Sequence, residues 1–227
     1  MFQDADFQEA CNELQNPNIN EAGYEFFTES IQDGCEAKIY RQYNETSGLY
    51  KYKVYGTLTE VSPELCAEVY MDLEYRRQWD TYVCELFEKE EADKKLIYWN
   101  VNFPFPMSNR DYIYLRELRE MQTVEGNKVW AVMAKSVQCD SVPEKRGVIR
   151  VDDYLQSCVL STDGQGGSKA FMKYYDNPKG MIPTWLINWG AKTGVPAFLT
   201  MMQTACKGYS KYLENKRQQI NRQQVSL

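Results

Sequence analysis

Not one histidine occurs among the 227 residues, which removes the only side chain whose unperturbed pKa lies near neutrality. A Ser-His-Asp triad and a His-liganded zinc are thereby excluded. CxxC pairs are absent too. The seven cysteines, Cys11, Cys35, Cys66, Cys84, Cys139, Cys158 and Cys206, stand at least eighteen residues apart. Such an odd, scattered set fits reduced thiols packed as small core residues better than a disulfide framework. No GxGxxG or GxxxxGK[ST] loop is present. The one glycine cluster, Gly164 to Gly167, falls between two expected strands and reads as a hairpin turn. No stretch approaches 18 uncharged apolar residues, and the start Met1-Phe2-Gln3-Asp4-Ala5-Asp6 lacks the basic, then apolar, pattern of a signal peptide. A cytoplasmic protein is expected.

What is there is ordinary in bulk and unusual in aromatics. Hydrophobic residues at 43% and charged residues at 26% fit a globular chain and exclude a disordered one. The 17 tyrosines, 9 phenylalanines and 5 tryptophans supply π-faces for packing or recognition. The length favours one domain, residues 1–216, followed by a polar tail, 217–227, that is expected to fray or be disordered. Net charge is −6 overall, but from Thr184 onward Lys192, Lys207, Lys211, Lys216, Arg217 and Arg222 face Glu214 alone, giving +5 at the end and −11 before it. An acidic body argues against nucleic acid, whereas a basic terminal segment suits an anionic surface.

Periodicity orders the elements. Phe7, Ala10, Cys11 and Leu14 share one helical face, ended by Asn16-Pro17. From Cys35 the period shortens to two: 35–43, 49–57, 83–90, 95–103, 112–120, 128–137, 146–160 and 168–175 read as eight or nine strands, separated by turns such as Glu125-Gly126-Asn127 and therefore paired antiparallel. One helical interruption opens at Ser62-Pro63 with Leu65, Cys66, Val69 and Tyr70 on one face, and a second short helix holds residues 74–82. After Pro183 a long amphipathic helix carries Val195, Phe198, Leu199, Met202, Ala205, Cys206, Tyr209, Tyr212 and Leu213 on its apolar stripe. This order predicts an α+β fold in which a curved antiparallel sheet is covered on its concave face by the last helix, with room for a cavity between.

Carboxylates are plentiful, yet Asp152-Asp153 would alternate across a strand and Glu88-Lys89-Glu90-Glu91 reads as a solvated turn, so no hydrolytic pair stands out and no enzyme is expected. Three features ask for more. Arg76 and Asp80, spaced i, i+4 in Tyr75-Arg76-Arg77-Gln78-Trp79-Asp80, make either a surface ion pair or a forked donor for phosphate or carboxylate oriented by its neighbour. Trp99 shares a strand face with Ile97, Val101 and Phe103, which is a core face or one wall of a cage for a quaternary ammonium. The stretch Phe103-Pro104-Phe105-Pro106-Met107 must leave the ladder while carrying large apolar side chains, as a packed loop or a gate.

These runs, with Gly147-Val148-Ile149-Arg150-Val151 and Ile182-Pro183-Thr184-Trp185-Leu186-Ile187-Asn188-Trp189, together resemble the START (StAR-related lipid transfer) domain family in its phosphatidylcholine-carrying form. The resemblance extends from about Phe7 to Leu213. It implies a helix-grip fold, a nine-stranded antiparallel sheet around a tunnel for one phospholipid, closed by the C-terminal helix as a lid. It implies that Arg76 binds phosphate with Asp80 orienting it, that Trp99, Tyr112 and Tyr154 form the choline cage, and that Val101 and Gln156 lie nearby. Phosphatidylcholine would be exchanged between membranes that the C-terminal helix touches. The gate would comprise Pro104, Phe105, Pro106 and Met107 together with Gly190, Gly194 and Pro196. A monomer is expected, with no cofactor, metal or nucleic acid and with an acyl-CoA thioesterase as protein partner. The alternatives are a carrier of sterol or ceramide, a lipid sensor, or a cavity enzyme of similar fold.

Overall fold

A computed structural model of the chain describes residues 2–91, 93–123 and 126–225. Ten strands form one sheet: β1 Glu25–Gln32, β2 Cys35–Asn44, β3 Leu49–Leu58, β4 Val83–Glu91, β5 Lys94–Val101, β6 Asn109–Gln122, β7 Lys128–Ser136, β8 Val148–Val151, β9 Tyr154–Thr162 and β10 Ser168–Asp176. The path β1-β2-β3-β10-β9-β7-β6-β5-β4 is the antiparallel nine-strand ribbon, and β8 lies off it, parallel to β6. Period-two alternation sorts the side chains. Val129, Ala131, Met133, Val159 and Phe171 face the outer side, where they pack on Phe7, Ala10 and Leu14 of helix α1, Asp4–Gln15. Their neighbours Trp130, Val132, Cys158 and Leu160 face inward, against helix α2, Pro63–Met71, and the C-terminal helix.

Several expectations shift. Strand β1 was not foreseen: the adjacent Phe26 and Phe27 break strict alternation, and the pairing with β2 accordingly slips between Phe26 and Thr28 as at a bulge. Asp152 and Asp153 do not alternate across one strand but separate β8 from β9, where the chain leaves β6 as neighbour and joins β7 and β10. The run from Glu88 to Glu91 is no turn. It completes β4, with Glu90 opposite Lys95 and Glu91 opposite Lys94, pairs of opposite charge that suit a cross-strand position. The Gly164–Gly167 turn forms as expected: Asp163 Oδ1 accepts from Gln165 N at 2.7 Å and Gly167 N at 2.8 Å, and Gly164 and Gly166 take positive φ, which glycine adopts without a steric penalty. Glu125, in the other expected turn, lies outside the described residues.

The segment after Pro183 is not one regular helix. Helix α4, Thr184–Trp189, runs into a π-helical turn, Gly190–Gly194, before α5, Val195–Val225. Pro196 lacks the N–H that a continuous α-helix would use there, and two glycines flank the wide turn, so the backbone changes hydrogen-bond register at this point. Helix α5 runs to Val225, its last turns rich in Gln and Arg, residues of good helical propensity. All seven cysteines are free thiols.

Candidate functional site

Between the concave face and α5 lies a cavity of about 760 Å³. Its apolar floor comes from alternate residues of three strands, Val54, Gly56 and Leu58, Cys158 and Leu160, Ala170 and Met172, and its roof from Phe198, Leu199 and Met202 of α5. The roof is held at its far end by Tyr75 Oη donating to Ala205 O at 3.0 Å and Tyr209 Oη donating to Asp72 at 3.1 Å. The approach there is close enough that a Cβ on Gly208 would meet Tyr75 Oη at 3.1 Å.

Local capping fixes Arg76. Ser62 Oγ accepts from Leu65 N at 3.3 Å to start α2. Asp72 then ends α2 and starts α3, Leu73–Trp79, by accepting from Tyr75 N at 2.8 Å. Asp80 follows α3. Its Oδ1 accepts from Tyr82 N at 3.0 Å and its Oδ2 from Arg76 Nε at 2.8 Å, so one carboxylate ties the turn and the guanidinium together. This is no surface pair: the side chains are 6% and 1% exposed. Burial works most strongly against the Arg76 charge, but Asp80 together with the Tyr70 and Tyr114 hydroxyls outweighs it and holds the group above its ordinary pKa. The guanidinium lies 4.9 Å from the Trp99 ring centre, 5.5 Å from Phe198 and 5.7 Å from Tyr70. Among the described residues no acceptor bonds its two terminal nitrogens.

Beyond Arg76 stands an aromatic wall. Trp99 and Tyr112 are cross-strand partners on β5 and β6, with ring centres 5.3 Å apart. Strand β7 stops at Ser136, opposite Tyr114, which lets Tyr112 reach the next strands. Its ring meets Tyr154 of β9 edge-on at 5.4 Å, and its hydroxyl donates to Asp176 Oδ2 at 2.7 Å. Tyr174 donates to the same oxygen at 2.9 Å. Burial raises the hydroxyl pKa of Tyr112, Tyr154 and Tyr174 well above the phenol range, so all three stay protonated donors.

The structure therefore brings the sequence-predicted residues together, with one distinction. Arg76, Asp80, Trp99, Val101, Tyr112 and Gln156 line the cavity, whereas Tyr154 packs against Tyr112 without lining it. Its hydroxyl donates to Gln156 Oε1 at 2.7 Å, and Gln156 Nε2 donates to Tyr70 Oη at 2.6 Å, which orients the amide. Sequence reasoning missed Tyr174 and Asp176, both lining the cavity. Counting by twos along β10 from Ala170 and Met172 would have placed them on that face. Of the expected gate, Gly190 and Gly194 line the cavity and Pro196 is buried in the first turn of α5. The Pro104 to Met107 turn closes by Met107 N donating to Pro104 O at 3.0 Å. Arg110 clamps both sides of this mouth, donating to Ser108 O, Pro178 O and Lys179 O.

The family model for the START domain matches residues 6–211. The chain is 50% identical over 210 residues to the phosphatidylcholine transfer protein of Mus musculus and 48% to that of Homo sapiens, in each case covering 92% of this chain and 96% of the relative. Among solved structures, human STARD10 superposes with a TM-score of 0.76 at 22% identity, covering 95% of this chain and 84% of that one. Human StAR-related lipid transfer protein 5 gives 0.70 at 15% identity, covering 91% and 95%. These two likenesses concern the fold.

Proposed function

The chain belongs to the START domain family, and from that premise we propose that it carries one phosphatidylcholine molecule in its cavity and exchanges it between membranes. The observation that carries this reading is the meeting of two unlike receptors inside one apolar space: a guanidinium with unused donors, and a wall of π-faces 4.9 Å from it. A zwitterionic headgroup asks for both. Phosphate takes a forked cationic donor, and a trimethylammonium, which has no N–H to donate, is best met by aromatic faces. Sterols and ceramides carry neither group and would leave Arg76 and the wall without a role. The two acyl chains, about 30 methylenes at roughly 0.8 kcal/mol each, would cost over 20 kcal/mol in water. The tunnel must therefore replace the bilayer as their solvent, and affinity comes from the chains while identity comes from the headgroup.

Loading takes place at the membrane. Phe105 is 95% exposed, Met181 89% and Trp185 45%, and they flank the mouth where Phe103, Gly180 and Leu186 line the cavity. Apolar side chains so placed suit the interfacial region of a bilayer. The π-helical turn is the hinge on which α4 swings to admit a lipid. Of the basic residues on α5, Lys207 pairs with Glu60 and Lys216 with Glu74. Lys211 and Arg217 are exposed, and neither enters an ion pair among the described residues, so these two are placed to meet anionic headgroups. The test is transfer of labelled phosphatidylcholine and phosphatidylethanolamine from donor to acceptor vesicles. The protein should accelerate transfer of the first and favour it over the second; no acceleration of either would refute the reading.

A further inference from the structure

We propose that Asp176 is the counter-charge of the choline site, the group that makes the aromatic wall select a cation rather than any bulky apolar headgroup. The inference rests on the phosphatidylcholine reading. Asp176 ends β10 directly opposite Tyr154 in the sheet and lines the same cavity as Trp99, Tyr112 and Tyr174. Its position is anomalous for a carboxylate. Asp80 and Asp111, both buried, each have an arginine, Arg76 and Arg150; Asp176 is half-buried. Asp176 has no ion-pair partner among the described residues. Arg110, whose charge acts on Asp176, directs its Nε, Nη1 and Nη2 at three backbone carbonyls instead.

Asp176 is half-buried at the edge of an apolar space, where a carboxylate with no paired cation is less favoured than in water and a ligand that brings the cation is correspondingly stabilised. Both phenol hydroxyls converge on Oδ2, and Oδ1 makes no hydrogen bond among the described residues. Each phenol that donates to a carboxylate also gains electron density in its ring, which strengthens its face toward a cation. The cavity is then polarised end to end, with the Arg76 guanidinium at one side of Trp99 and the Asp176 carboxylate behind Tyr112, in the sense that matches a phosphate followed by an ammonium. The π-faces recognise the methyl groups, and Asp176 recognises the charge.

The experiment compares uptake, from neutral vesicles, of phosphatidylcholine and of its 3,3-dimethylbutyl analogue, in which a carbon replaces the quaternary nitrogen. Shape and methyl groups are kept and only the charge is lost. The wild-type protein should prefer choline by about tenfold or more. Asp176→Asn keeps an acceptor for Tyr112 and Tyr174 and should lower that preference at least threefold. An unchanged ratio in Asp176→Asn, or no preference in the wild type, overturns the proposal; uptake of neither lipid by the wild type would instead overturn the carrier reading. A second measurement uses the unaltered protein. The Asp176 carboxyl, faced by Tyr112, Tyr174, Arg110 and Asp153, should titrate at lower pH with phosphatidylcholine bound than with the analogue, as followed by carboxyl ¹³C shifts. Identical titrations contradict it.

Discussion

Two arginine–aspartate pairs, one on α3 and one joining β8 to β6, each with a buried aspartate, are alike in their first contact and opposite in proposed use. Arg150 reaches Asp111 through Nε at 2.8 Å and Nη2 at 3.0 Å, and its remaining donors end on Val142 O and Pro143 O. Tyr98 Oη completes the Asp111 carboxylate at 3.0 Å. Arg76 makes the same 2.8 Å contact to Asp80, yet its terminal nitrogens look onto rings and a cavity. A guanidinium with all three nitrogens bonded joins β8 to β6 as a structural tie. One whose terminal nitrogens are both free suits the proposed receptor, because donors taken from water and left without acceptors are favoured only when a ligand supplies the acceptors. Burial and ion pairing alone do not distinguish the two; the count of unused donors does.

Breaking the structural pair should have the largest effect. Arg150→Ala leaves Asp111 buried without its cation and should cost about 3–5 kcal/mol, read as a lower denaturant midpoint. The surviving folded fraction should keep its headgroup preference, since nothing in the cavity has changed. Removing the rings beside the other pair should do the reverse. Trp99→Ala combined with Tyr112→Ala should cut discrimination between choline and ethanolamine phospholipids by about tenfold while acyl chains are still carried. Unchanged discrimination in a vesicle transfer assay would count against the cage. The smallest change sharpens the contrast between fork and point charge. Arg76→Lys preserves the charge beside Asp80 but not the planar donor set, and should weaken phospholipid loading roughly three- to tenfold with little change in unfolding.

Much of this was legible in the chain because the physics was local. Helix α1 was readable from one face of Phe7, Ala10 and Leu14, and α2 from Ser62-Pro63, since capping and amphipathic spacing act over a few residues. The i, i+4 spacing of Arg76 and Asp80 announced their contact, but whether the pair lay on the surface depended on Trp99 and Phe198, distant in sequence, closing over it. The roles of Trp99, Tyr112 and Tyr154 were expected from family resemblance; their residue spacing alone allowed a plain core. Asp176 went unnoticed for a related reason. Its significance depends on β7 ending at Ser136 so that Tyr112 can reach across to β10, a fact of sheet topology rather than of sequence pattern. The break between β8 and β9, inside the one strand expected over 146–160, was hidden in the same way, since a parallel pairing of β8 with β6 leaves no turn signal beside it.

The central claim is that Arg76 binds the phosphate of a phospholipid held inside the protein. Its most direct test is native mass spectrometry of the wild-type chain and of Arg76→Gln combined with Asp80→Asn, a double change that removes the receptor without stranding a buried charge. Both proteins are exposed to the same phosphatidylcholine vesicles. The wild type should emerge with one phosphatidylcholine per chain and the double variant, still folded, predominantly empty. Equal occupancy of the two, or a wild-type guest that contains no phosphate, would contradict the account.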